Sequence, residues 1–337
     1  MNHFMRSINI DVLNISLIIV SAIIAYLLPF ELFLWAYAIL GPLHYLTEIN
    51  WIHGKKYFVD FNLWAIIPVI SCLLIVTPKV LISYSIIEPP DQSLFGQFIY
   101  MMNAYSTSLI VGCLVLSVGL IYFKAKKHIF VLTFVVIALA IIFNNSPAYS
   151  ITFGLFLPTL IHVYVFTLLF MLYGALNSQS RFGYLSVVTM VLVPICISLV
   201  TIDPSCYSIS QYTKDTFLQN RFHHTNVRLS QLLGLSDGTS FFFYEKVELK
   251  LQVFIAFAYL YHYLNWFTKT SVIGWHKQLT SRKSLVIFIV WTLIVSLFWY
   301  DYQLGFYAAL FLSFLHVLLE FPINIMSIKG ILTALRK

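Results

Sequence analysis

Apolar residues along this chain occur in long continuous runs that short polar segments separate. Ten of these runs approach or exceed the roughly 20 residues that an α-helix needs to cross a bilayer. We therefore predict an all-α fold, an integral membrane helix bundle of about ten transmembrane helices that forms a single domain over residues 1–337. The predicted spans are 12–28, 32–52, 61–84, 97–123, 129–143, 149–176, 184–202, 251–267, 285–300 and 304–325.

Composition supports a membrane protein and excludes several other classes. Hydrophobic residues make up 60% of the chain and charged residues 10%, whereas soluble domains carry about 25% charged residues. The net charge of +7 lies in short loops and includes no Arg-rich segment, so no nucleic-acid partner is expected. The four cysteines form no CxxC pair and share no loop, which argues against a disulfide framework or a zinc ribbon.

The basic residues predict the orientation of the bundle. With ten spans, fourteen of the 20 Lys and Arg residues fall on one side. They are Arg6, Lys55, Lys56, Lys124, Lys126, Lys127, Arg181, Lys269, Lys277, Arg282, Lys283, Lys329, Arg336 and Lys337. Because cytoplasmic loops carry the excess of Lys and Arg, we expect both termini in the cytoplasm, in a membrane such as the bacterial inner membrane.

The long connection 203–250 is then extracytoplasmic. Arg221 and Arg228 alternate there with leucines, which predicts an amphipathic helix lying on the membrane surface. An ordinary surface loop is the alternative. His223 and His224 also lie in this segment, but adjacent residues point apart on a helix, so we do not expect both to bind one metal.

Ionisable residues interrupt two of the apolar runs. His44 and Glu48 share one predicted span, and His316 and Glu320 share another, with the acid four residues after the histidine in each pair. Residues at i and i+4 lie on one helix face. Ionisable groups at membrane depth normally face the interior of a bundle and mark a functional site.

Two further histidines, His162 and His262, lie in apolar runs without an acidic neighbour. All four histidines are eleven to thirteen residues from the predicted outer start of their spans. At a rise of about 1.5 Å per residue, that puts each of them roughly 17–20 Å into the membrane. Because all four spans also run inward, we expect the four imidazoles to meet.

Imidazole is the commonest metal ligand in proteins and suits iron, zinc and copper. The pattern therefore predicts a metal site near the middle of the membrane. Its predicted ligands are His44, His162, His262 and His316. Ligating histidines usually donate their other N–H to a carboxylate or a carbonyl, so Glu48 and Glu320 are expected to orient the imidazoles or to complete the ligand shell. A metal-free polar cluster or a proton relay is the alternative.

The segments that carry these residues are Gly41-Pro42-Leu43-His44 with Glu48, Leu160-Ile161-His162, Tyr261-His262-Tyr263-Leu264-Asn265-Trp266, and Leu315-His316 with Glu320. In type and order they resemble the motifs of the Brp/Blh family of membrane-bound carotene dioxygenases, which cleave β-carotene to retinal with non-haem iron. The resemblance covers only these short motifs. Trp266 stands where the family has a second late histidine, so His316 or Glu320 would have to supply that ligand. Tyr45 replaces a small glycine of the family's early motif.

The resemblance implies Fe(II), or another first-row metal such as zinc, at the histidines, with O2 as a co-substrate. It also implies a hydrophobic small molecule or lipid as the substrate, and the aromatic residues beside the histidines suit an elongated isoprenoid or carotenoid. Membrane lipids would surround such an enzyme. Two other hypotheses stay open, a proton-coupled transporter with an intramembrane His/Glu relay and a metal-free membrane acyltransferase that uses a histidine as the base. The sequence contains no internal repeat of the kind that many transporters show.

Overall fold

The structure, a computed structural model, describes residues 2–61, 63–88, 91–123 and 126–336, without the side chains of 2–9, 126, 127, 271 and 272. Lys124 and Lys337, two of the basic residues used to predict the orientation, lie outside the described residues. Within the described ranges every regular element is a helix and no strand occurs, which confirms the predicted all-α class.

The helices are bounded as follows. The first eight α-helices are α1 (Asn2–Leu27), α2 (Pro29–Trp35), α3 (Gly41–Gly54), α4 (Ile66–Ser83), α5 (Leu94–Ala104), α6 (Ser106–Tyr122), α7 (Lys126–Phe143) and α8 (Pro147–Tyr149). The others are α9 (Thr167–Ser178), α10 (Arg181–Leu199), α11 (Gln211–Gln219), α12 (His223–Leu232), α13 (Lys246–Thr268), α14 (Thr270–Ile273), α15 (Ser281–Tyr300) and α16 (Tyr302–Ala334). Wider π-helical turns cover Ala36–Leu40 and Ser150–Phe166, and short 3-10 helices cover Lys56–Phe58, Pro204–Cys206 and Trp275–Gln278.

Six helices are long and apolar enough to cross a membrane. They are Ile10–Leu27, Ile66–Ser83, Pro147–Ser178, Arg181–Leu199, Ser281–Tyr300 and Tyr302–Ala334. Helices α5 and α6 make a seventh candidate if the 55° bend between them lies within one span, and the apolar part of α7 is shorter than the others. The predicted number of about ten spans is therefore not confirmed.

The outward faces of several helices are covered with large apolar side chains. Ile23 on α1, Phe130 on α7, Leu199 on α10 and Leu293 on α15 are all more than half exposed. Soluble monomers rarely expose continuous apolar surface of this kind. Together with the long apolar helices, these faces indicate an integral membrane protein.

Two helical segments that are not among these long apolar helices lie in the interior of the bundle. One is the continuous helix of residues 29–54, formed by α2, a π-helical turn and α3, and the other is α13. Helix α13 packs against α1, α2, α12 and the π-helix Ser150–Phe166, and its Gln252 is fully buried. A helix enclosed by other helices meets little lipid, so protein partners can satisfy its polar side chains. Apolarity alone therefore undercounts the helices of this bundle.

The long connection 203–250 folds back onto one end of the bundle. Its Phe217 is fully buried beside Phe30 of α2, with 5.0 Å between the ring centroids. Helix α12 packs against α13, while Leu232 and Leu233 at its end are more than half exposed. The predicted contact of this segment with a membrane surface stays a prediction.

The orientation of the chain can be tested by labelling single cysteines in a variant that lacks the exposed Cys196 and Cys206. Asp237 and Lys277 are both exposed and belong to loops that the basic residues assign to opposite sides. A membrane-impermeant maleimide should react with Asp237→Cys on intact cells and with Lys277→Cys only after permeabilisation. Equal labelling of both positions on intact cells would contradict the predicted topology.

Candidate metal centre

The four predicted histidines come together in the interior of the bundle. One ring nitrogen from each of them belongs to a group whose members all lie within 4.8 Å of one another. Each histidine is at most 7% exposed. Within the described ranges this is the one group of three or more His, Cys, Asp or Glu side chains with a geometry suited to a metal ion. The described residues therefore contain one candidate metal centre. It consists of His44, His162, His262 and His316.

Four helical segments carry the histidines: residues 29–54, residues 147–178, α13 and α16. Residues that precede each histidine line one cavity, of about 510 Å³, which we call the N-side cavity. Its floor contains Tyr37, Pro158, Tyr259 and Ser313. Residues that follow each histidine line a second cavity, of about 720 Å³, which we call the C-side cavity; Glu48, Thr167, Trp266 and Glu320 are among them. The four helices therefore run in the same direction and carry their histidines at one level.

The imidazoles face each other in two close pairs. The Nε2 atoms of His44 and His262 are 3.0 Å apart, and so are the Nε2 atoms of His162 and His316. Two nitrogens bound at right angles to one metal ion, at about 2.1 Å, lie about 3.0 Å from each other. Two nitrogens on opposite sides of the ion are about 4.2 Å apart. The upper limit of 4.8 Å on the separations in this group is close to that value.

Hydrogen bonds on the far side of two rings set how the Nε2 atoms are presented. His316 Nδ1 lies 3.2 Å from the carbonyl oxygen of Leu312, which can only accept, so the Nδ1–H donates. The Nε2 atom of neutral His316 therefore points a lone pair into the centre. His262 Nδ1 is 2.8 Å from Thr167 Oγ1, which holds the second ring in place.

Glu320 contacts a histidine of another helix. Its Oε2 atom lies 2.9 Å from His162 Nδ1, whereas the sequence pattern pairs Glu320 with His316 on its own helix. If the carboxylate is ionised and accepts the N–H of His162, the Nε2 atoms of His162 and His316 are two lone pairs 3.0 Å apart. Such a pair needs a cation between them. If Glu320 is instead protonated, His162 and His316 can share a hydrogen bond between their Nε2 atoms without a metal.

Glu48 completes the polar group. Its Oε2 atom lies 3.0 Å from His44 Nε2, as the one-turn spacing predicts, and its carboxyl group is within hydrogen-bonding reach of Glu320. Two ionised carboxylates at this separation repel each other, so the pair must share a proton or face a cation. His44 Nδ1 is buried and has no hydrogen-bond partner among the described residues. His44 is thus the one ligand candidate without a supporting contact on the far side of its ring.

Aromatic side chains pack around the histidines. The ring of Tyr45 stacks on His316 with 4.3 Å between the centroids, and its hydroxyl lies 2.9 Å from that of Tyr263. Trp266 packs edge-on against His44 and donates its indole N–H to Thr47 Oγ1 over 3.0 Å. Trp266 therefore supports the centre by packing and provides no ligand atom.

The sequence interpretation missed Thr47 and Thr167 as neighbours of the centre. Thr47 lies within the early motif, so its position was a usable signal. Thr167 is five positions after His162, which ordinary α-helical periodicity puts on a different face. The π-helical turns of Ser150–Phe166 change that periodicity, and such turns occur often at functional sites.

The C-side cavity reaches the centre directly, because His44, His262, Glu48 and Glu320 line it. Its further walls are mainly apolar and include Trp51, Phe58, Phe170, Met171 and Ile323. A volume of about 720 Å³ is in the usual range for small-molecule sites. There is thus room for a hydrophobic ligand next to the histidines.

The other described histidine side chains lie away from the centre. His53, His128 and His276 are exposed, and the side chain of His3 is outside the described residues. The rings of His223 and His224 are 4.5 Å apart at the start of α12, and His224 lines the N-side cavity. Partial burial, together with the neighbouring His224, lowers the pKa of His223 to about 4, so this ring is neutral at neutral pH.

No family model, curated protein or solved structure matches this chain.

The contacts of the two carboxyl groups predict the effect of removing their charge. Glu48→Gln and Glu320→Gln should each weaken metal binding by roughly 10–100-fold, the range found for residues that support metal ligands. A competition titration with a metal chelator on the purified protein measures this. Glu31→Gln is the matched control, because Glu31 belongs to the same helix as Glu48 but lies three turns before the centre. Wild-type affinity in both site variants would place the carboxyls outside the metal centre.

Proposed function

We propose that this protein is a membrane metalloenzyme in which the four central histidines hold one first-row transition metal ion. The observation that carries the proposal is the pair of Nε2 contacts at 3.0 Å, which bring four imidazole nitrogens together in a buried site. Glu320 supports it, because its carboxyl group lies at His162 Nδ1, on the far side of that ring, where carboxylate partners of ligating histidines are found. Glu48 lies at His44 Nε2, the nitrogen that faces the other imidazoles, so its carboxylate would be a further ligand.

The donor set fits the metals that the sequence motifs imply. Imidazole and carboxylate groups suit iron, zinc, copper and nickel, and a divalent ion would compensate the charge of two buried carboxylates. A structural zinc site is usually closed by four ligands, many of them cysteines. Here no cysteine belongs to the described group, and a cavity reaches the histidines. These features favour a catalytic centre over a structural one.

We infer further that the metal is Fe(II) and that the enzyme oxygenates a hydrophobic isoprenoid, carotenoid or lipid with O2. The resemblance of the four motifs to the Brp/Blh family supports this reaction, and the apolar C-side cavity supports this substrate class. When bound, iron supplies the redox chemistry that allows O2 to react with a hydrocarbon. In a cell membrane, both substrates could enter from the lipid phase.

The residues of the chain would have separate roles in this reaction. Thr167 and the carbonyl of Leu312 fix the rings of His262 and His316. Glu48 and Glu320 would balance the charge of the metal ion when they are ionised, or would carry protons when they are not. Apolar side chains such as Trp51 and Phe170 would exclude water and hold the substrate beside the centre.

A proton-coupled transporter is the second candidate, and one observation favours it. The two cavities lie on opposite sides of the histidines, as access pathways to a relay would. In that case His162 and His316 would pass protons through the hydrogen bond between their Nε2 atoms, and Glu320 would exchange protons with His162. The two candidates differ in whether the purified protein needs a metal.

Metal content distinguishes the candidates. The protein purified in mild detergent should contain about one equivalent of iron, or of a substitute such as zinc. Alanine substitutions of the four histidines should each lower the metal content sharply, because each removes a ligand. Elemental analysis by mass spectrometry gives the occupancy. The exposed residues His128 and His276 provide matched alanine controls that should keep the wild-type content. A metal-free protein whose four central variants keep the wild-type properties would rule out the metalloenzyme.

The substrate can be tested through the C-side cavity. A side chain at Gly174, which lines this cavity, would extend into open space. Gly174→Phe should therefore fill part of the cavity and lower substrate-dependent O2 uptake by about 10-fold or more, while the metal content stays unchanged. β-Carotene, shorter isoprenoids and unsaturated lipids are the substrates to compare. Gly174→Ala should keep its activity, and equal O2 uptake by both variants would place the substrate elsewhere.

A further inference from the structure

The N-side cavity differs from the C-side cavity in its charge. Lys79 of α4, Arg221 in the turn between α11 and α12, and His224 of α12 line it. Among the described residues that line this cavity, none is an Asp or a Glu. The cavity is therefore cationic, although it lies at one end of an apolar bundle.

The two permanent cations of the cavity have no partners of opposite charge. Lys79 is partly buried, Arg221 is exposed, and both line the same cavity. Neither side chain forms a salt bridge in the part of the chain that the structure describes. For the partly buried Lys79 an opposite charge is the usual partner, because an isolated buried charge is costly. An anion bound in the cavity would give both cations a partner of opposite charge.

The backbone at Arg221 is an independent observation. Arg221 has a φ of 58°, in the left-handed region that favours glycine, and the chain turns there from α11 into α12. Strained residues of this kind cluster at binding and active sites. The strained turn thus brings the guanidinium group to the wall of the cavity.

The remaining wall of the cavity has a polar part and an apolar part. Buried amide oxygens of Asn220 and Gln252 have no hydrogen-bond partner among the described residues, so they can accept from a hydroxyl group or a water bound with the anion. The apolar part is aromatic and includes Phe33, Phe306 and Phe314. The combination fits a molecule with an anionic head and a hydrocarbon tail.

We propose that the N-side cavity binds an anionic amphiphile, a phosphate or carboxylate group on a hydrocarbon chain, with the anionic group between Lys79 and Arg221. This inference does not depend on the metal centre. The floor of the cavity, at Tyr259 and Ser313, lies one turn before His262 and His316. A tail that follows the aromatic wall thus ends near the centre.

Hexyl phosphate is a suitable probe, because its short tail partitions little into detergent micelles. The full-length protein in neutral detergent should bind one equivalent in isothermal titration calorimetry. Lys79→Met and Arg221→Gly should each weaken binding by about 10-fold or more, since each removes a charge-assisted contact. Glycine adopts a positive φ without strain, so Arg221→Gly is expected to fold. It therefore tests the proposal even if Lys79→Met does not fold.

Matched controls are available in the same connection. Lys214 packs over the ring of Tyr244, and Arg228 donates a hydrogen bond to Gln231, so Lys214→Gln and Arg228→Gln should bind hexyl phosphate as the wild type does. Metal content should be unchanged in all four variants, which keeps this test separate from that of the metal centre. Three outcomes would overturn the proposal: hexanol bound as tightly as hexyl phosphate, inorganic phosphate bound as tightly, or hexyl phosphate affinity unaffected at Lys79 and Arg221.

Discussion

The burial of four imidazoles and two carboxyl groups in the middle of an apolar bundle is the constraint on which the rest of the structure depends. A buried polar group without a partner costs about 1–3 kcal/mol, and a buried charge costs more. These six side chains must therefore satisfy each other, bind a cation or share protons. The observed contacts, with two Nε2 pairs at 3.0 Å and carboxyl oxygens at 2.9 and 3.0 Å, show how tightly this requirement draws four separate helices together.

The requirement also explains the layering of the bundle. Helices such as α1, α7, α10 and α15 expose large apolar side chains and would take most of the contact with lipid. The enclosed helices can then carry polar residues, as α13 does with Gln252, His262 and Asn265. Central helices that carry a few polar residues allow a membrane protein to build a reactive site away from lipid.

The level of the histidines divides the interior into two different cavities. On the C-side the walls are mainly apolar and the histidines themselves are accessible. On the N-side Lys79 and Arg221 provide positive charge above an aromatic wall. If both proposals hold, one bundle would hold an apolar molecule next to a metal ion and an anionic amphiphile one helical turn away.

The sequence by itself determined the features that depend on local rules. Hydropathy gave the all-α membrane class, and the rise of an α-helix placed His44, His162, His262 and His316 at one level. The i to i+4 rule also paired Glu48 with His44. Tertiary structure alone decided that Glu320 contacts His162, that Trp266 donates to Thr47 and that Thr167 supports His262. These contacts depend on how each helix is rotated about its axis, and that rotation is set by packing and by π-helical turns, which a pattern of apolar residues does not encode.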